Sequence, residues 1–248
     1  MKTAFAVLAS IVLSCMLAAQ TRGDTILSVT GVIDSSIPVG GSQSNGAESQ
    51  FFGVSFAIGG SFNDVAITIP DMAFVDWAGT AWLTNAIGPA ATPANVIATA
   101  TADPFHGSLL FQSTTTTFLS GLNLSPGTYF FFLSSPFCAG NDFSIGCGMG
   151  LWPVVSSPTI QVTASGAEIV GEELVGGFLL PCSNPANCPA ANFQFPPASP
   201  WIALPNSTPL AIVITGSPVP EPSSLLLFVA GLLALWVAGP RKRRLAHS

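Results

Sequence analysis

The side chains able to do chemistry are few and widely spaced. Cys138, Cys147, Cys182 and Cys188 form an even set in the second half of the chain, and Cys15 stands apart near its start. An even set in an exported chain predicts disulfides. Three pairings are open. Cys138–Cys147 and Cys182–Cys188 are preferred, since each closes a short loop rich in Gly, Asn or Pro. A zinc site is disfavoured because the spacings are too long and suitably placed histidines are lacking. His106, in Asp103-Pro104-Phe105-His106-Gly107, has no Gly-x-Ser-x-Gly elbow to accompany it, so a loop histidine is expected. Glu172 and Glu173 are neighbours, and consecutive strand residues point to opposite faces, whereas a glycosidase pair must face one cleft.

Two binding chemistries remain. Asp64, Asp71, Asp76, Asp103 and Asp142 have no cationic partners, so a buried one would need a calcium ion, yet no loop spacing selects them. Trp77, Trp82, Trp152 and Trp201 offer flat apolar faces to a sugar ring, although core packing is the commoner use of tryptophan. No phosphate-binding loop, dinucleotide fingerprint or EF-hand occurs. The expectation is a protein that is not an enzyme, with no cofactor and no metal.

The elements that would carry these residues are strands. Phe52, Val54, Phe56 and Ile58 alternate with Phe51, Gly53, Ser55 and Ala57; Val65, Ile67 and Ile69 alternate with more polar neighbours. The same period of two recurs at 159–163 and 210–215. Further strands are expected at 26–33, 80–87, 95–101, 109–112 and 128–133, with turns at Gly59-Gly60-Ser61, Gly88-Pro89 and Ser125-Pro126-Gly127. Many short strands without an amphipathic helix predict an all-β antiparallel sandwich over residues 24–218, the jelly roll being one form of it.

Charge divides the chain sharply. Lys2, Arg22, Arg241, Lys242, Arg243 and Arg244 are all six basic residues, and all twelve acids lie between Asp24 and Pro240. Nucleic-acid binding by that body is excluded, because nothing in it neutralises a phosphate. Residues 1–23 have one Lys, an apolar stretch and small residues before Asp24, the layout of a secretory signal peptide. Lipid attachment at Cys15 is the rival, weakened by bulky Leu13. At the other end, Pro220-Glu221-Pro222 precedes an uncharged run at 223–239 and the basic tail 241–244. Seventeen helical residues cover about 25 Å, slightly short of a ~30 Å hydrocarbon core. The basic tail would stay on the cytoplasmic side and leave the body outside.

Pro-Glu-Pro, a short apolar span and a basic tail, in that order over 219–248, resemble the PEP-CTERM sorting signal of Gram-negative bacteria. The resemblance implies that Pro220, Glu221 and Pro222 are recognised by an exosortase, a membrane cysteine transpeptidase, with the chain as its substrate. It also implies passage through the export machinery across the inner membrane, a tethered stage, and a destination in the cell envelope or a biofilm matrix with exopolysaccharide. Leu124-Ser125-Pro126-Gly127-Thr128-Tyr129 is similar to a turn seen in bodies attached to such signals. The expected function is a sorted, exported structural or adhesive protein. A lectin-like carbohydrate-binding module is the alternative.

Overall fold

The structure is a computed structural model. It describes residues 24–40, 51–77, 79–102, 112–134, 147–175, 195–199, 201–203, 209–219 and 231, without the side chains of 38, 40, 75–77, 102, 147–149 and 172–175. The chain divides into a unit of residues 1–217 and a second of 218–248.

Eleven strands make up the described body: β1 (Asp24–Gly40), β2 (Phe51–Ile58), β3 (Phe62–Trp77), β4 (Gly79–Thr84), β5 (Val96–Ala102), β6 (Gln112–Leu124), β7 (Gly127–Ser134), β8 (Cys147–Val162), β9 (Glu168–Val175), β10 (Ile202–Ala203) and β11 (Ile212–Pro218). Short 3-10 turns occupy Pro93–Asn95 and Pro196–Ala198. The strands form two antiparallel sheets. One has the order β11-β1-β8-β3-β6, with β11 also reaching β3; the other runs β10-β9-β2-β7-β4-β5.

The pairings reveal how the chain is wound. β1 pairs with β8, β2 with β7, β3 with β6 and β4 with β5. That is one long antiparallel ribbon rolled on itself, the strand plan of a jelly roll. β11 is added beside β1, and β9 with β10 beside β2.

A single apolar core lies between the sheets. Leu27, Val65, Ile67, Ile69, Phe74 and Trp152 from one sheet meet Phe52, Phe56, Leu83, Phe131 and Leu133 from the other. Trp152 sits edge-on to Phe52 and Phe131, with ring centroids 6.2 and 5.8 Å away. Its indole N–H donates to the Ala211 carbonyl at 2.8 Å, so its one polar atom is satisfied in a fully buried site.

Several strands differ from the sequence expectation. The strand expected at 109–112 is β6, starting at Gln112 and running to Leu124. Its Ser-Thr-Thr-Thr-Thr opening carries no apolar alternation to mark it. β2 does not alternate between buried and exposed but is buried on nearly every residue. Its Gly53 is the reason Phe132 fits beside it: a Cβ there would lie 2.5 Å from the Phe132 Cβ. Among the described residues no helix is long and apolar enough to cross a membrane. The span expected at 223–239 lies outside the described residues except Gly231, which is helical and exposed.

Candidate functional site: the sorting motif and the pole it leaves from

β11 is the last element before the Pro-Glu-Pro motif, and its sequence anchors it firmly. Ile212 and Ile214 are fully buried, and Gly216 follows on the same face. A Cβ at Gly216 would sit 2.9 Å from Val65 Cγ2 and 3.0 Å from Ile26 Cδ1, so any larger residue would force these core side chains to shift. The register pairs Asp24 with Gly216 and Thr25 with Thr215. The first residue after the expected signal peptide therefore lies beside the last strand residues before the motif.

Strand registers assign the remaining connections to two poles. With Asp24 and Gly216 lie the turns joining β2 to β3, β6 to β7 and β8 to β9, as the pairs Ile58↔Gly127, Phe62↔Leu124 and Ala57↔Glu168 require. These three turns are short, and the longer β4–β5 connection at 85–95 lies at the same pole, as the pair Thr84↔Phe130 requires. At the opposite pole, Gly40 pairs with Met149, Gly79 with Ala102 and Trp77 with Cys147. The connections 41–50, 103–111 and 135–146 leave from that second pole.

The β6–β7 turn at the terminal pole is clamped by Tyr129. Its hydroxyl donates to the Ser125 carbonyl four residues earlier, closing Ser125-Pro126-Gly127. The ring stacks on Phe56 at 5.7 Å. Burial pushes the Tyr129 hydroxyl above its ordinary value of 10.0. The Leu-Ser-Pro-Gly-Thr-Tyr resemblance thus has a physical basis: the tyrosine locks the turn that precedes its own strand.

The tryptophans separate by environment. Trp152 belongs to the core and presents no face to a ligand, which corrects its expected availability for sugar stacking. Trp82 and Trp201 are half-buried on the outer face of the six-stranded sheet. Trp82 lies parallel to Phe132 at 6.0 Å and edge-on to Phe195 at 6.2 Å, and its N–H donates to Ser134 Oγ at 2.8 Å. Trp201 meets Phe132 edge-on at 4.7 Å. Together they fasten residues 195–199 and Trp201 across the sheet, where the Gly88 N–H also donates to the Pro197 carbonyl at 2.8 Å. This strap has no apolar periodicity, and its Phe-Pro-Pro composition reads as loop. The side chain of Trp77 is outside the described residues.

The other candidates do not gather. Asp64 and Asp71 are exposed on β3 at positive φ, where carboxylates are solvated. Among the described residues no three His, Cys, Asp or Glu side chains come together. Glu172 and Glu173 occupy adjacent positions on β9, paired with Val54 and Gly53. Cys147 is the first residue of β8. Cys138, Cys182, Cys188, His106, Asp103 and Asp142 lie outside the described residues, as do Pro220, Glu221, Pro222 and residues 1–23. The Asp76 side chain is also outside them.

Residues 218–243 match the PEP-CTERM protein-sorting motif. The chain carries this motif, which marks an exported protein sorted by an exosortase. No curated protein and no solved structure matches the chain.

Proposed function

We propose that this chain is a structural or adhesive component of the cell envelope or matrix, exported as a precursor and tethered by a helix over 223–239 until its Pro-Glu-Pro motif is processed. The observation that carries this reading is the sorting motif at 218–243 following directly on a strand locked into the core beside Asp24. The first residue after the expected signal peptide and the strand that leads into the motif thereby share one pole. Chain polarity supports the orientation: an apolar stretch with a basic tail halts with that tail in the cytoplasm.

The acidic body fits a protein that works outside the cytosol. With no Lys or Arg between Asp24 and Pro240, no ordinary ion pair contributes to its stability, which rests on apolar burial, sheet hydrogen bonds and the proposed disulfides. The glycan-binding alternative now draws on Trp82 and Trp201 among the described tryptophans, each with part of its surface occupied by Phe132 or the strap.

The test is replacement of Pro220, Glu221 and Pro222 by alanine in a cell that makes an exosortase. Wild-type protein is expected to lose its C-terminal segment, shown by intact mass. The variant is expected to accumulate in the inner membrane with the segment retained. Equal processing of both proteins contradicts the reading.

A further inference from the structure

β11 ends at Pro218, so Val219 alone separates the strand from the Pro-Glu-Pro motif. The strand pairs with β1 and also with β3. Both partners are still close at Gly216, where a Cβ would stand 3.0 Å from Ile26 Cδ1 and 3.3 Å from the Asn63 carbonyl oxygen. A cleft that takes an extended peptide grips it through main-chain groups, as a sheet edge grips an added strand. Groups already paired in one ladder are not free for another. A cleft that encloses the motif must also admit the chain leading into it, and here that chain is committed to two neighbours.

β11 is built in two parts. Its root carries Ile212 and Ile214, both fully buried. Its tip, Thr215 to Pro218, buries no apolar side chain: Thr215 and Ser217 are half-buried, Gly216 has none to bury, and Pro218 is exposed. The register with β1 breaks at the junction of the two parts. Thr25 pairs with Thr215 and Leu27 with Ile214, which leaves Ile26 as the extra residue. A bulge interrupts the ladder, so the tip can leave β1 without unzipping the root. The bulge itself is held from the other side, where the Ile26 carbonyl accepts from the Thr163 and Ala164 N–H groups at 3.3 and 3.4 Å. Segments with few buried apolar contacts lie at the low-cost end of local opening.

We propose that the tip of β11 is a latch on processing: the Pro-Glu-Pro motif is seated by its enzyme only after Thr215–Pro218 leave β1 and β3. The folded body thereby sets how long the chain keeps its C-terminal segment. The latch rests on the sorting reading above and adds to it a control that lies in the sandwich rather than in the motif. Its parts are the paired tip, the bulge that divides tip from root, and the single residue left free before Pro220.

The experiment follows the full chain in cells that make an exosortase, with pulse-chase measurement of how fast the C-terminal segment is lost. A Gly-Ser linker of about six residues between Pro218 and Val219 supplies free chain ahead of the motif. It should speed loss of the segment about tenfold, because backbone hydrogen bonds of the tip no longer have to open first. The same linker between Pro222 and Ser223 lengthens the tether but leaves the motif against the strand, and should give no such gain. An unchanged or slower rate with the first linker, or an equal gain with both, overturns the proposal. Hydrogen exchange on the unprocessed chain in detergent micelles reads the tip directly. Amides over 215–217 should exchange faster than those over 212–214, and equal protection of both overturns it too. The alanine replacement of the motif separates the two levels. If that variant is processed at the wild-type rate, the sorting reading itself fails; if it is blocked and the first linker changes nothing, only the latch fails.

Discussion

Tyr129 is the only tyrosine in the chain, so its phenolate absorbance reports one site. Because burial raises its pKa, ionisation in the folded protein should have a midpoint above 10.0, and denaturant should return it to the ordinary value. The sign of the linkage follows. An unfolded tyrosine loses its proton first, so the contribution to stability is complete below pH 10 and is lost as pH rises through the folded value. Y129F should remove this alkaline loss and cost about 1 kcal/mol at neutral pH, because the Ser125 carbonyl loses its donor. A folded-state midpoint equal to the unfolded one contradicts the clamp. Trp152 shows how the residue scale limits sequence reasoning. Its type fits a sugar platform as well as a core, and only its position between Phe52 and Phe131 settles which.

At the scale of elements, legibility followed hydrophobic periodicity. β3 and β11 were marked by alternating apolar residues because one face of each meets the core, whereas β2 and β7 were marked by dense apolar runs that are buried on nearly every residue. β6 was misplaced since its threonines serve equally well on a buried or an open edge. The strap was invisible because its burial comes from Trp82, Phe132 and Trp201 acting across the chain, and nothing local encodes that. The pairing of Asp24 with Gly216 was equally hidden, being a matter of register between the two ends of the body. If the aromatic contacts hold the strap, W201A should speed hydrogen exchange at Gly88, whose amide is bonded to the Pro197 carbonyl. Amides in the β1–β8 pairing should keep their protection. Unchanged exchange at Gly88 would show that Pro196 and Pro197 hold the strap without Trp201.

For the whole molecule, the rolled ribbon explains why ends far apart in sequence share a pole. β1 and β8 close the roll, and β11 returns to lie on the outer side of β1. Most pairings therefore join distant segments, a topology that folds slowly and exposes edges while it does so. An oxidising compartment outside the cytosol, where the disulfides proposed among Cys138, Cys147, Cys182 and Cys188 would form, suits that demand. The sorting motif was legible because it is a linear pattern of proline, glutamate, apolar run and basic tail. The arrangement of the body behind it was not, since acidity and alternation describe many sandwiches.

The same charge distribution supplies the most direct measurement of orientation. Trypsin has no site between Asp24 and Pro240 and several in Arg241–Arg244. In cells without an exosortase, where the tail is retained, trypsin added to intact spheroplasts should leave the mass unchanged. In inside-out inner-membrane vesicles it should trim only the C-terminal tail. Trimming of the tail from the outer side of spheroplasts, with protection in inverted vesicles, would place the sandwich in the cytosol and contradict the account.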